Sequence, residues 1–290
     1  MRGINEIIES IGIDRLSKTP NGYKGCCCIN PNHSDRSPSM HINLEKGHVK
    51  CFACNAYNTL FTFLTNNGAT FDEAIEFMFF DYTKEKAKIE GLTEYALGRK
   101  VPKSMLDRGY TMKTLKHFRV GYDEFEHRIT IPLEFRGILY GIQYRQHPKI
   151  FWATDGFNKD NFIYNFEPTD ERIYVEGFTD TWMAWQNGTT NVSATLSASA
   201  SEGQMELMRV HKLIYISYDM DKAGWKGAFR LYRHLRNDVE FKVIMFPVKD
   251  PGACSREQWE RAYAEAIDFT EFEVKFLMKN AELYEEIKNG

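Results

Sequence analysis

Long apolar runs are missing from this sequence. No stretch approaches the roughly 20 consecutive apolar residues that a membrane-spanning helix needs. The segment after Met1-Arg2-Gly3 lacks the apolar core of a secretory signal. A cytosolic location without a membrane partner is therefore expected. Cysteine is scarce as well, six in 290 residues, and five of the six fall in one short segment: Cys26, Cys27, Cys28, Cys51 and Cys54. In a reducing compartment that clustering excludes a disulfide framework and favours a metal site. An overall basic excess is also missing. The net charge is −3, so the whole chain gives no sign of a nucleic-acid partner. Internal repeats and low-complexity segments are absent.

What remains is the composition of a folded protein, 43% apolar and 27% charged. The length exceeds one compact core, so two or three domains are expected. The charge is unevenly spread: residues 84–160 hold 15 Lys and Arg against 10 Asp and Glu, between acidic flanks. Such a middle segment can bind phosphate locally although the chain is acidic.

Ile4, Ile7, Ile8 and Ile11 recur at helical spacing. From Gly22 to Asn55 the pattern is irregular and rich in turns, as in a small domain held by metal. Helices follow over Asn58–Thr65 and Phe71–Phe80, the second opened by Thr70 with Glu73 three residues on, a capping box. Thr83–Leu92 is charged and poor in large apolar groups, a linker. Short helices at Pro102–Asp107 and Met112–Phe118 precede strands at Arg128–Leu133 and Ile138–Arg145. After Pro168 short apolar strands (Ile173–Val175, Asn191–Leu196, Leu213–Ile216, Val243–Phe246) alternate with helices (Thr179–Trp185, Glu202–Val210, Ala223–Leu235), which predicts a mostly parallel sheet. The tail from Ser255 predicts two helices.

Cys28-x₄-His33, then seventeen residues, then Cys51-x₂-Cys54 gives two short-spaced pairs joined by a loop. Zinc takes four soft or borderline ligands in a tetrahedron, and such pairs supply them. A reading of these residues as ordinary core cysteines leaves the matching spacing unexplained. Cys26 and Cys27 are alternatives for the first ligand; Cys28 has the shortest span to His33.

Glu176 directly follows the strand Ile173–Val175, and Asp219 and Asp221 follow the strand Leu213–Ile216. In an open parallel sheet ligands bind at the carboxyl ends of strands. Asp180 lies one helical turn beyond Glu176, and Asp250 follows the fourth strand. Carboxylates gathered in one place repel unless cations neutralise them, and hard oxygen donors select Mg²⁺ or Mn²⁺. Gly177 and Gly224 keep the backbone bare where a phosphate would approach.

At these residues a family resemblance becomes explicit. Val175-Glu176-Gly177-Phe178-Thr179-Asp180 and Tyr218-Asp219-Met220-Asp221-Lys222-Ala223-Gly224 resemble the two signature motifs of the toprim domain. That module is shared by bacterial-type (DnaG-type) primases, topoisomerases and some nucleases. Ala194–Ala200 between them is similar to the primase form, with Ser197 where the family usually has glycine. His33-Ser34-Asp35-Arg36-Ser37-Pro38 and Cys51-Phe52-Ala53-Cys54 resemble the zinc-binding domain of primases. Leu106–Tyr110, Arg128–Leu133, Gly141–Arg145, Pro148–Phe151 and Phe157–Lys159 resemble the basic subdomain that precedes toprim.

The resemblance implies an α/β fold in which a zinc ribbon (1–82) and a linker (83–92) precede a mixed α+β basic subdomain (93–168). A toprim parallel-sheet α/β domain (169–252) and C-terminal helices (253–290) complete it. It implies a DNA primase, a DNA-directed RNA polymerase that makes short RNA primers on single-stranded DNA by two-metal nucleotidyl transfer. One structural Zn²⁺ would sit on Cys28, His33, Cys51 and Cys54. Catalytic Mg²⁺ or Mn²⁺ would sit near Glu176, Asp219 and Asp221, with Asp180 and Asp250 alongside. Arg108, Arg128, Arg145, Lys149 and Lys159 would contact nucleic acid or nucleotide. Expected partners are the single-stranded DNA template, ribonucleoside triphosphates and a replicative helicase. So compact a version is what bacteriophages tend to encode. Two rival readings share the motifs: a toprim nuclease, and a non-catalytic zinc-ribbon factor attached to a helicase.

Overall fold

The computed structural model describes residues 2–44, 47–79, 100–146, 150–154, 157, 159–248 and 254–289. The chain divides into two compact units, Met1–Lys84 and Glu85–Gly290. The expected linker, residues 83–92, lies outside the described residues. No helix among the described residues is long and apolar enough to cross a membrane.

The first unit is more regular than its turn-rich sequence suggests. Five strands, β1 (Ser17–Thr19), β2 (Gly22–Gly25), β3 (Met40–Asn43), β4 (His48–Cys51) and β5 (Tyr57–Thr59), form an antiparallel meander in chain order. Period-two alternation sends Met40, Ile42, Val49 and Cys51 inward. There they meet Ile7 and Ile8 of the opening helix Ile4–Ser10 and Phe63 and Leu64 of the helix Leu60–Asn66. Gly22 has φ +144°, and a Cβ there would lie 2.1 Å from the Ile42 carbonyl oxygen, so β2 can approach β3 only with glycine. The capping box forms: the Thr70 amide donates to Glu73 Oε2 (3.0 Å), and the Glu73 amide donates to Thr70 Oγ1 (3.2 Å). Arg2 then clamps the same carboxylate from Nε (3.0 Å) and Nη2 (2.9 Å). These bonds, Arg2 first, hold the Glu73 carboxyl far below the usual carboxylate range.

The second unit contains two sheets. β6 (Gly121–Asp123), β7 (Arg128–Phe135), β8 (Ile138–Gln146) and β9 (Ile150–Ala153) are antiparallel in chain order. β10 (Glu171–Val175), β11 (Val192–Ala194), β12 (Leu213–Ile216), β13 (Glu240–Val243) and β14 (Ile267–Asp268) form a sheet of order β11-β10-β12-β13-β14. All its pairings are parallel except the edge strand β14. Ile173, Tyr174 and Val175 of β10 are fully buried, as a strand covered on both faces requires. Arg172, 1% exposed, staples β10 to β11: Nε donates to Ser193 Oγ (2.8 Å) and Nη2 to the carbonyls of Val192 (3.3 Å) and Asn165.

Two expectations are corrected. The fourth parallel strand is Glu240–Val243, not Val243–Phe246. Its alternating burial marks a strand near the sheet edge, while Ile244 and Phe246 continue past it and Phe246 packs on Trp259 at 4.9 Å. The tail forms three helices (Arg256–Ala264, Phe269–Lys279 and Ala281–Asn289), because β14 and Asn280 interrupt what the sequence presents as two.

Candidate active site and metal centre

In the first unit Cys27, His33, Cys51 and Cys54 each offer a ligand atom, all within 4.8 Å of one another. A tetrahedron with Zn–S bonds of about 2.3 Å has edges of about 3.8 Å. Cys27 Sγ and Cys54 Sγ lie 3.9 Å apart. The donor set therefore fits zinc. It corrects the choice of Cys28, whose Sγ turns outside the cluster towards Met40 Sδ (3.9 Å). Consecutive residues leaving β2 cannot all face one point, and the parity of the chain selects Cys27.

The surroundings of the tetrad went unread in the sequence. Asp35 accepts from His33 Nε2 (2.7 Å), from Ser39 Oγ (2.7 and 2.6 Å) and from the Cys27 amide (2.7 Å). The acid thus orients the imidazole and leaves Nδ1 as the nitrogen for an ion. Burial pushes the Cys51 thiol up, but the Ser39 hydroxyl and the Cys54 and Ala53 amides outweigh it and bring it down to about 6. Burial pushes Cys27 up to about 11. The one available signal was an acid two residues after the ligand histidine.

Of Tyr23 and Tyr57 in this unit, only Tyr57 is exposed for stacking on a base. Tyr23 is 2% exposed, its hydroxyl on Asn5 Oδ1 (2.6 Å). Register places His41 opposite Lys50 and Lys50 opposite Tyr57. Phe52 lies 5.0 Å from the His41 ring with Lys50 over it at 5.4 Å. One surface of the meander is thus basic and aromatic.

In the second unit β10 ends at Val175 and β12 at Ile216, on neighbouring strands. The next residues carry the acids. Glu176 Oε1 accepts from the Asp219 amide (3.1 Å), joining the two strand ends. Asp221 caps the helix Lys222–Leu235, accepting from the amides of Ala223 (3.0 Å) and Gly224 (3.2 Å). Asp180 accepts from the Gly177 amide (3.0 Å). Among the described residues these carboxylates do not converge as the Cys/His tetrad does. Asp250 lies outside the described residues. A Cβ on Gly224 would stand 2.1 Å from the Asp219 carbonyl oxygen and 2.8 Å from Glu176 Oε1, so glycine there is a geometric necessity. In the loop after β11 the left-handed residue is Leu196 (φ 60°), and Ser197 has no positive φ that would call for glycine.

Two of the five expected basic residues come together beside this edge. Arg145 has its guanidinium 5.3 Å from the Phe151 ring, and burial followed by the charge of Arg108 lowers its pKa. Phe151 in turn lies 6.3 Å from Phe178, two residues past Glu176. Gln186, at the far end of the helix Phe178–Gln186, accepts from the Thr111 amide (2.7 Å) and donates to the Gly109 carbonyl (2.9 Å). The segment that carries Arg108 is thereby fixed to the element that starts at the acids. Arg128 is engaged within its sheet, 4.1 Å from the Tyr144 ring and ion-paired to Asp123 at 3.2 Å. Lys159 is exposed in a 3₁₀ turn, and Lys149 lies outside the described residues.

Comparison with known proteins matches residues 2–91 to the CHC2 zinc finger and residues 173–254 to a Toprim-like domain. Both matches are domains that DnaG-type primases carry, and the chain is similar to that family. A DNA primase of Clostridium acetobutylicum is 24% identical over 92% of this chain and 58% of its own length. One of Listeria monocytogenes is 24% identical over 99% and 60%. The chain thus spans little more than half the length of the curated relatives that it matches. The Aquifex aeolicus primase structure, with zinc-binding and RNA polymerase domains, superposes with TM-score 0.52 at 20% identity, covering 97% of this chain and 88% of that one. A DnaG primase catalytic domain bound to single-stranded DNA superposes with TM-score 0.55 at 17% identity, covering 71% and 84%. The fold of the family is shared: a zinc ribbon, and a toprim domain, which implies a divalent cation.

Proposed function

We propose that the protein is a DNA primase, which joins ribonucleotides into short RNA primers on a single-stranded DNA template. The observation that carries this is the acid edge of Glu176 and Asp219 held in one unit with the Arg108–Arg145 pair. Nucleotidyl transfer needs both, because the reaction develops negative charge and requires positioning more than a side-chain nucleophile. The residues that would hold Mg²⁺ or Mn²⁺ are Glu176, Asp219 and Asp221, with Asp180 and Asp250 nearby. When bound, such cations lower the pKa of an attacking hydroxyl and screen the triphosphate.

The chain's own groups supply the rest. Glu176, fixed by the Asp219 amide, presents carboxylate oxygen at the strand ends. Arg108 and Arg145 grip phosphate, and Phe151, 47% exposed, offers a ring to a base or sugar. Lys159 and Lys149 extend the basic surface. On the zinc ribbon (1–82), Phe52 and Tyr57, exposed beside Lys50, hold template by stacking and charge. Residues 83–92 link that domain to the basic subdomain (93–168), the toprim domain (169–252) and the final helices. Ribonucleoside triphosphates are the substrates and a replicative helicase the partner in the cytosol.

Incubation of the full chain with single-stranded DNA of varied sequence, Mg²⁺ and labelled ribonucleotides should yield short RNA. Absence of RNA on every template, or cleavage of the DNA in its place, overturns the reading, and cleavage identifies a toprim nuclease.

A further inference from the structure

The helix Lys222–Leu235 carries Lys226, Arg230, Arg233 and His234 at spacings of four, three and one, a single basic stripe. The stripe lines a groove of about 740 Å³ between this helix, the loop after β11 and the terminal helix Ala281–Asn289. The floor is bare: a Cβ on Gly227 would lie 1.7 Å from the Ala198 carbonyl oxygen, so helix and loop touch there.

The cations are unequally neutralised. Lys226 lies 3.4 Å from Glu286, and His234 lies 3.7 Å from Glu206. Arg230 donates only to neutral acceptors, Ser199 Oγ (2.8 Å) and the Ala200 carbonyl (2.6 Å). Arg233 donates to the Ile287 carbonyl (2.8 Å). Two guanidiniums thus face the groove without a carboxylate partner among the described residues. Among the described residues no Phe, Tyr or Trp lines the groove, so it offers phosphate contacts with little surface for base stacking.

We infer that this groove is a second nucleic-acid track, which holds the sugar–phosphate backbone of a single strand without regard to sequence. Length favours a strand over one nucleotide. From Lys226 to His234 the stripe runs about 12 Å at 1.5 Å per residue, the reach of two or three successive phosphates about 6 Å apart on a single strand. The track starts one helical turn from Asp221, which caps the same helix. The inference rests on the reading of the chain as one that engages nucleic acid.

The test is binding of a fluorescent oligo(dT) to the full chain across a salt series, without divalent metal or nucleotides. In the double variant Arg230→Gln, Arg233→Gln the slope of log affinity against log salt should shrink by about 1.4, since each single-strand phosphate contact contributes about 0.7. Affinity at low salt should fall roughly tenfold. Because Arg230 also anchors the loop, the double variant Arg230→Lys, Arg233→Lys separates charge from support and should keep the wild-type slope. A wild-type chain that binds DNA while the Gln variant keeps its slope overturns the track and leaves the primase reading intact. A wild-type chain that binds no DNA overturns both. If the Gln variant loses ATP binding while oligo(dT) binding is unchanged, the groove takes a free polyphosphate and the track is wrong.

Discussion

The Cys/His tetrad and the acid edge of this chain are built on opposite plans. In the zinc unit the donors converge without an ion: four side chains lie within 4.8 Å, and Asp35 and Ser39 already orient His33 and Cys51. At the toprim edge the donors are held apart, Asp221 on a helix cap, Asp180 on the Gly177 amide and Glu176 on the Asp219 amide. The difference follows from charge and from role. The tetrad can crowd because Cys27 stays a neutral thiol while the Cys51 thiolate is held by hydrogen bonds, and its metal completes a small fold. Carboxylates repel at neutral pH, and these acids are parked on backbone amides, an arrangement that suits the proposed meeting with cations and phosphates together.

The largest expected effect tests the parked half of that comparison. Glu176→Gln, Asp219→Asn and Asp221→Asn should each reduce primer synthesis by orders of magnitude, as cation stabilisation is worth several kcal/mol. Thermal stability should hold, because asparagine caps a helix about as well as aspartate. Near wild-type synthesis by all three variants would remove metal binding from this edge. The converged half is tested next. Cys27→Ser should release zinc and unfold the first unit, whereas Cys28→Ser should retain zinc by metal analysis. The opposite result would return the ligand to Cys28.

Smaller effects probe how tightly the edge is built. Gly224→Ala should cost about 3 kcal/mol in denaturant unfolding, since its methyl meets backbone that cannot yield easily. Unchanged stability would mean that the loop carrying Asp219 is not fixed. The smallest effect is a pH dependence. His211 is neutral in the fold, donating from Nδ1 to the Thr169 carbonyl (2.6 Å) and accepting the Tyr174 hydroxyl at Nε2 (2.8 Å). Burial pushes its pKa down to about 4. The unfolded chain therefore takes up this proton first, at about 6.5, and stability falls as pH drops from there towards 4. The loss should be about 2 kcal/mol between pH 7 and pH 5. It should vanish in His211→Gln, which can keep both bonds; an equal acid loss in that variant would assign it elsewhere.

Much of this arrangement was legible in the sequence because the signals were local. The strand Leu213–Ile216 and the long helix ending at Leu235 stand where their apolar patterns put them, and Thr70 and Glu73 form their capping box. Glu176 and Asp219 could be placed at neighbouring strand ends because parallel strands align them. What escaped depends on orientation. Three consecutive cysteines carry no record of which one faces the tetrad. The meander of the first unit has strands of three and four residues, too short for periodicity. The parking of Asp221 and Asp180 on amides follows from helix starts that spacing alone leaves undetermined.

Gln186 gives the helix Phe178–Gln186 a mechanical meaning. The helix is a rigid lever about 13 Å long, nine residues at 1.5 Å each, with the acid edge at one end and the arginine-bearing segment bolted to the other. A pivot of about 5° at Gly177 swings Gln186 by roughly 1 Å, a displacement that can change a reaction rate about a hundredfold. In the proposed primase, cations at the carboxylates and phosphate at the arginine-bearing segment would then act on one angle, and by reciprocity each would report on the other.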